Sequence, residues 1–304
     1  MSVITTGAHP KALWPGIKKF WGVNYNRNEP VWKQVFMVDT SEQAYEEEVE
    51  EVGFGLLSSK GQGQGINYDT AQQGTVSRYT AFTYALGYMV TMEEMMDNLY
   101  EKVSYKRAGK LARSVYETEE IDHAAVLNRA FNSNYKGGDG KPLCALDHPT
   151  ASGNQSNNLT VDADLSEASI EDLMIQIMGT KDSRGLKVSN KARRLLVPDN
   201  LWFEANRVVK SVLQNDTANN AVNVLKMTNT FPEGIMKWSY LTDPDAWFIQ
   251  TDSAGEDGLK HFTRMAATFE QDNDFDTKNA KASVIARWSK GWSNWRGIFA
   301  SQGA

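Results

Sequence analysis

The sequence predicts an α+β fold built on one long helix and several antiparallel strands, and three stretches predict it. Met92, Met95, Met96, Leu99, Val103, Leu111, Val115, Ile121, Ala124, Leu127 and Phe131 recur largely at helical spacing. Thr75 to Val90 alternates like a strand, with Val76, Tyr79, Phe82 and Tyr84 among its members. Leu259 to Ile298 mixes strand patterns with acidic turns. At 304 residues, 41% of them hydrophobic, the chain can support one large domain or two modest ones.

Taken in order, residues 1–30 look like an extended arm. Pro10, Pro15 and Pro30 with Gly7, Gly16 and Gly22 argue against a regular helix there. Trp14, Phe20 and Trp21 would be poorly placed in free solvent, so the arm is expected to dock on its own body or on a neighbouring chain. On the second alternative, deleting residues 1–25 leaves a folded subunit that assembles poorly. Val31 to Val38 reads as a strand. Thr40-Ser41-Glu42-Gln43 resembles a capping box, and Tyr45, Val49 and Val52 follow at helical spacing, which predicts a short acidic helix.

Gly53 to Gly74 is rich in Gly and Gln and cannot build a core. It predicts a long strand-loop-strand excursion that does not fold on itself, since ordering costs about 1–2 kcal/mol per residue. If it is ordered, neighbours must supply contacts, through its backbone and through Phe54, Leu56, Leu57, Ile66 and Tyr68. A second capping box, Thr91-Met92-Glu93-Glu94, opens the long helix, which would span roughly 60 Å if unbroken. Gly109 and Glu117–Glu120 are places where it could bend. Tyr135 to Asn158 reads as loop. Asp164-Leu165-Ser166 caps a helix over roughly Glu167 to Met178. Arg193 to Val197 is a buried strand ended by Pro198, and Leu201 to Leu213 is helical. Asn219 to Met227 is helical or irregular, and Ile235–Leu241 and Ala246–Thr251 are strands around an Asp-Pro-Asp turn.

No catalytic or cofactor motif stands out, so neither a catalytic residue nor a cofactor nor a metal is expected. Ser59-Lys60 beside Gly61 to Gly65 has the wrong order for a phosphate loop. Asp272, Asp274 and Asp276 mimic the start of a calcium loop, but Thr277 and Ser283 stand where glycine and glutamate are needed. Cys144, the single cysteine, permits no internal disulfide, and its nearness to His148 in sequence does not make a catalytic pair. The four histidines show no ligand spacing. A net charge of -6 disfavours a dedicated nucleic-acid binder; it fits a container that encloses DNA without sticking to it, and equally an ordinary acidic cytosolic protein. Neither a signal peptide nor a membrane span is read, so the chain is expected to stay in the cytosol where it is made.

The wording of the sequence resembles that of a known family. Asp39 to Glu47, Tyr68-Asp69-Thr70-Ala71-Gln72-Gln73-Gly74, Thr83-Tyr84-Ala85-Leu86-Gly87 and Asp97-Asn98-Leu99-Tyr100 are similar to motifs of tailed-phage major capsid proteins. Asp147-His148-Pro149 with Asn157-Asn158-Leu159, Leu241 to Ile249, Asp272 to Thr277 and Gly291-Trp292-Ser293 continue the resemblance. It points to the Hong Kong 97-type capsid fold, and within it to the Mu-like major head subunit group. One departure is Asn294-Trp295, where Asp-Pro would be expected.

The resemblance implies an N-terminal arm over 1–30 and a strand-loop-strand E-loop region over 31–90. It implies a spine helix and P-domain over 91–160, an A-domain over 161–258, and C-terminal strands returning to the P-domain over 259–304. It implies a structural subunit, not an enzyme, that self-assembles into hexamers and pentamers of an icosahedral head around double-stranded DNA. Separate scaffolding and portal proteins are the implied partners, with room for a decoration protein, and no membrane is involved. A strand beginning at Val31 leaves no space for a preceding scaffold domain, so assembly without proteolytic trimming is expected. An encapsulin-like bacterial compartment is the first alternative, and a carboxylate-dependent hydrolase of α+β class the second.

Overall fold

The computed structural model describes residues 14–26, 29–96, 100–214, 221–254, 258–274, 277 and 279–304. Two four-stranded sheets carry the architecture. The first has the order β1-β10-β11-β4, from Met37–Thr40, Leu259–Asn273, Ala280–Trp292 and Phe82–Val90. Its strands β10 and β11 form a long antiparallel hairpin, and β1 lies parallel to β10. The second has the order β12-β9-β7-β8, from Ile298–Ser301, Trp247–Thr251, Ala192–Val197 and Ile235–Lys237. Two hairpins stand outside both: β2–β3 (Tyr45–Val52 and Gln72–Thr80) and the short β5–β6 (His148–Thr150 and Gly153–Gln155). The C-terminal strands therefore divide between the sheets, β10 and β11 in the first and β12 in the second.

The second sheet is buried on both faces, and its alternation shows how. Leu195, Val197, Trp247, Ile249 and Phe299 point to one core, which α4 (Glu167–Met178) and α5 (Trp202–Lys210) cover with Ile170, Leu173, Ile177, Ala205 and Val208. Leu196, Phe248, Ile298 and Ala300 point the other way, into a core shared with Trp32, Phe36, Leu127, Leu143, Trp238 and Leu259. That second core joins the two halves of the chain.

The long helix α3 covers Tyr100–Asn128, about 43 Å at 1.5 Å per residue. Residues 97–99, and the side chains of Met95, Met96 and Val103, lie outside the described part. Glu94 N–H donates to the Thr91 hydroxyl at 3.3 Å, as the capping motif predicts, in the short α2 (Met92–Met96). Helix α3 runs through both expected bend positions. Gly109 instead allows close packing: a Cβ there would lie 3.3 Å from the Phe20 ring.

That ring belongs to α1, Trp14–Tyr25, which corrects the expectation of a non-helical arm. Pro15 sits in the first turn, where its missing N–H costs nothing. Ile17 and Trp21, one turn apart, enter a third core with Ala108, Leu111, Ala112, Val115, Phe269 and Val284. Tertiary burial outweighs the low helix propensity of two glycines. A second correction concerns the acidic segment, which is strand β2 and not a helix. Its burial alternates along Tyr45–Val52, with Glu46, Glu48, Glu50 and Val52 turned inward. Ser41, read as part of a helix cap, instead closes a turn by accepting from Gln43 N–H at 3.1 Å. Val31–Gln34 is a 3-10 turn, so the strand expected from Val31 is only β1. Expected strands at Ile235–Leu241 and Ala246–Thr251 form as β8 and β9, but each pairs with β7 and not with the other. The helix expected over Leu201–Leu213 ends at Lys210, and of the segment from Asn219 to Met227 the described residues 221–223 are irregular and Val224–Met227 form α6.

Candidate assembly surface

Residues 53–71 form a loop without regular secondary structure at the tip of the β2–β3 hairpin. Its apolar side chains have no shelter in the subunit: Phe54 is 63% exposed, Leu56 84%, Leu57 101%, Ile66 68% and Tyr68 89%. Contiguous exposed apolar groups of this kind mark a contact surface. The arm residues behave differently. Trp21 is 7% exposed and stacks on Tyr25 at 5.1 Å and Phe269 at 5.7 Å, all within its own chain. Phe20 is 39% exposed against Gly109, and the Trp14 side chain lies outside the described residues. Deleting residues 1–25 would therefore strip Ile17 and Trp21 from a core of the subunit, and the effect would not be confined to assembly.

The base of the hairpin is seated by charge. Glu46 accepts from Ser41 Oγ at 2.5 Å. Glu48 pairs with Lys260 of β10 and accepts from Ser293 Oγ. Glu50 accepts from Ser183 Oγ at 2.5 Å and from Thr75 Oγ1 at 3.1 Å. Farther out, Asp69 accepts from Gly55 N–H at 2.8 Å and from Arg184 Nη1 at 2.8 Å. The backbone N–H groups of Gly55 and Thr70, followed by Arg184, hold the Asp69 carboxyl below its ordinary range. Tyr79, packed edge-on against Phe262 at 5.1 Å, is the aromatic anchor. These glutamates belong to the segment expected as a short acidic helix. Their period of two, Glu46, Glu48, Glu50 and Val52, was the available signal.

Thr83–Leu86, Ser114, Val115, Thr118, Val284, Ala286 and Trp288 line a groove of about 380 Å³ between β4, β11 and α3. Phe82 and Leu86 stay exposed on that strand.

The polar candidates of the sequence are structural. Cys144 is buried, and burial pushes its thiol up, away from the thiolate a nucleophile needs. His148 is fully buried and has other partners, Asp139 Oδ2 at 2.5 Å and Asn157 Oδ1 at 3.0 Å, with Trp295 stacked at 4.5 Å. Asn157 also accepts from Ala145 N–H at 2.9 Å, and its amide donates to Leu143 O at 2.7 Å and Ile298 O at 2.8 Å. Asn157→Ala is expected to cost about 3 kcal/mol in a urea titration of the unassembled subunit, because buried donors and acceptors lose their partner. Asn294 accepts from Arg296 N–H at 3.0 Å and caps the 3-10 turn Trp295–Gly297, so the departure at 294–295 keeps a tight turn. Asp274 pairs with Lys281 at 2.6 Å, while Asp276 lies outside the described residues. Among the described residues no cluster of metal-ligating side chains occurs, and no helix is long and apolar enough to cross a membrane.

A long hairpin with an exposed loop, a long helix and a second, doubly covered sheet together make the Hong Kong 97-type capsid fold, the fold of shell-forming subunits. Solved structures agree on the architecture. The chain aligns with a protein of Mycobacterium phage Che8 at 14% identity, over 91% of this chain and 93% of that one, with a TM-score of 0.52. With the capsid of cyanophage P-SCSP1u it shares 10% identity over 91% and 88%, at a TM-score of 0.56. With a virus-like particle from Pyrococcus furiosus it shares 12% over 95% and 98%, at 0.52. No curated protein sequence matches. The family model of phage capsid proteins matches residues 74–301, and the chain belongs to that family: it is a structural subunit of a phage shell.

Proposed function

We propose that this chain is the major head subunit and that identical copies close into hexamers and pentamers of an icosahedral shell around double-stranded DNA. What carries the reading is the loop: five large apolar side chains held in solvent on one 19-residue excursion. The apolar groove between β4 and α3 offers a concave counterpart on a neighbouring copy. Within the family, the motifs around Asp147 and Asn157 support a relation to the Mu-like head subunits. The division into arm, E-loop, P-domain and A-domain at 30, 90, 160 and 258 is part of the same proposal, as are separate scaffolding and portal partners, with room for a decoration protein.

Electron microscopy of the purified protein tests this. Closed shells of one size, packed with DNA when isolated from infected cells, are the expected result. A monodisperse monomer under all assembly conditions would sink it. Shells that hold a protein cargo in place of DNA would favour a bacterial compartment.

A further inference from the structure

Helices α1 and α3 lie side by side and run in the same direction. A Cβ on Gly109 would meet the Phe20 ring at 3.3 Å and the Asn24 side chain at 3.9 Å, and farther along the Tyr25 hydroxyl donates to Glu119 Oε1 at 2.8 Å. Ile17 and Trp21 of α1, with Ala108, Leu111, Ala112 and Val115 of α3, face the first sheet in the third core. At 3.6 residues per turn, Lys106, Lys110 and Arg113 fall on the opposite side of α3, in one stripe. Lys19 holds the corresponding outward place on α1. All four are exposed.

This ridge stands against the charge of the chain, which is -6 overall. Arg107, beside it, is spent on Glu94 at 2.8 Å, and Arg113 shares Glu117 with the Tyr240 hydroxyl. Lys19, Lys106 and Lys110 enter no ion pair among the described residues. From 106 to 118 the exposed residues are Lys106, Lys110, Arg113 and Thr118, with no apolar side chain among them. A protein partner needs an apolar centre as well as charge, whereas a phosphate needs charge alone. The carboxylates gather elsewhere: Glu48, Glu50, Glu51, Asp182 and Asp252 border one cleft beneath the β2–β3 hairpin.

We propose that this ridge is a binding surface for the phosphate backbone of double-stranded DNA. Lys106 to Arg113 spans about 10 Å, over which a duplex presents about six phosphate charges. Lys19 on the neighbouring helix widens the contact. Lysine and arginine on phosphates fix position and read no sequence. The acidic remainder of the subunit keeps the contact weak and reversible. In a shell, the ridge turns the α1–α3 layer toward the enclosed DNA. That placement rests on the proposed shell function. The binding itself is a property of the single subunit, so the two can fail separately.

The test is the salt dependence of binding between the unassembled full-length chain and a short dye-labelled duplex, read by fluorescence anisotropy. Four phosphate contacts give a slope of about -3.6 for log affinity against log salt, and Lys19→Gln/Lys106→Gln/Lys110→Gln should bring it to about -0.9. All three side chains are exposed, so the melting transition should stay in place. Lys60→Gln/Lys191→Gln, at exposed lysines outside the ridge, should keep the slope of the parent. No binding by the parent at low salt, or a slope indifferent to the triple variant, overturns the proposal. Tighter binding of polyglutamate than of the duplex would assign the ridge to an acidic protein and overturn it as well.

Discussion

Replacing Phe54, Leu56, Leu57, Ile66 and Tyr68 together with serine is expected to leave the melting transition of the unassembled subunit in place and to abolish shells. The argument is one of location. All five side chains are exposed in the subunit, none belongs to its three cores, and surface substitutions of this kind change stability by no more than about 0.5 kcal/mol each. Buried on a neighbour, each would contribute about 1.5–3 kcal/mol, so a loop without them forfeits on the order of 10 kcal/mol per contact. A closed shell repeats that loss in every subunit. Size-exclusion chromatography and electron microscopy read the assembly, and calorimetry reads the fold. Shells of normal yield would show that the loop is decoration. A lowered melting transition would show that it is an internal element.

What the sequence showed and what it hid divide along a physical line. Features that depend on local hydrogen bonding were legible. Ser166 caps α4 over the range its motif predicted, Thr91 caps α2, and the glycine-rich loop has no regular structure. Features decided by long-range pairing were not. Tyr45, Val49 and Val52 fit a helical period, yet in β2 Tyr45 and Val49 face out and Val52 faces in, and only the partner strand β3 and the distant Lys260, Ser293 and Ser183 decide the matter. Helix α1 exists because α3 and β10 bury Ile17 and Trp21, which nothing local announces. The motif pair at Asp147-His148-Pro149 and Asn157-Asn158-Leu159 was noticed for its wording. Its reason is that His148 and Asn157 meet, and that Asn157 holds the loop after α3 to the turn and strand at the C-terminus. Buried amide contacts of this kind leave no periodic trace in a sequence.

Acidification is expected to unfold the unassembled subunit through His123 and His261. The two rings are buried in the core that joins the halves of the molecule, with Trp32 stacked on His123 at 4.0 Å and Phe36 edge-on at 5.0 Å. Their partners assign the protons. His123 Nδ1 faces the Glu119 carbonyl at 2.6 Å and must donate, so His123 Nε2 accepts from His261 Nδ1 at 2.8 Å, and His261 Nε2 accepts from Thr263 Oγ1 at 2.9 Å. Both rings are neutral in this chain of bonds: a proton on His123 Nε2 breaks its link to His261, and a proton on His261 Nε2 reverses its bond to the Thr263 hydroxyl and places a charge in the core. Burial first, and then the neighbouring ring and the Lys290 ammonium, push His123 down to about 3. Burial, with Lys33 and Lys290, pushes His261 down to about 4, while Asp122 works the other way on both. The unfolded chain takes up these protons near pH 6.5, so stability present at neutral pH falls from there down to the folded values. The loss amounts to about 2–3 kcal/mol per histidine by pH 4.5, a large part of an ordinary domain's stability. Glu119 and Glu120 offset some of it, because burial holds both carboxyls above their usual range and the folded chain binds their protons first. Urea midpoints at pH 7.5, 6 and 5 measure the slope. In His123→Gln/His261→Gln the midpoint should start lower and vary much less with pH. An equally steep fall in that variant would place the acid sensitivity elsewhere and remove the buried histidine pair as its cause.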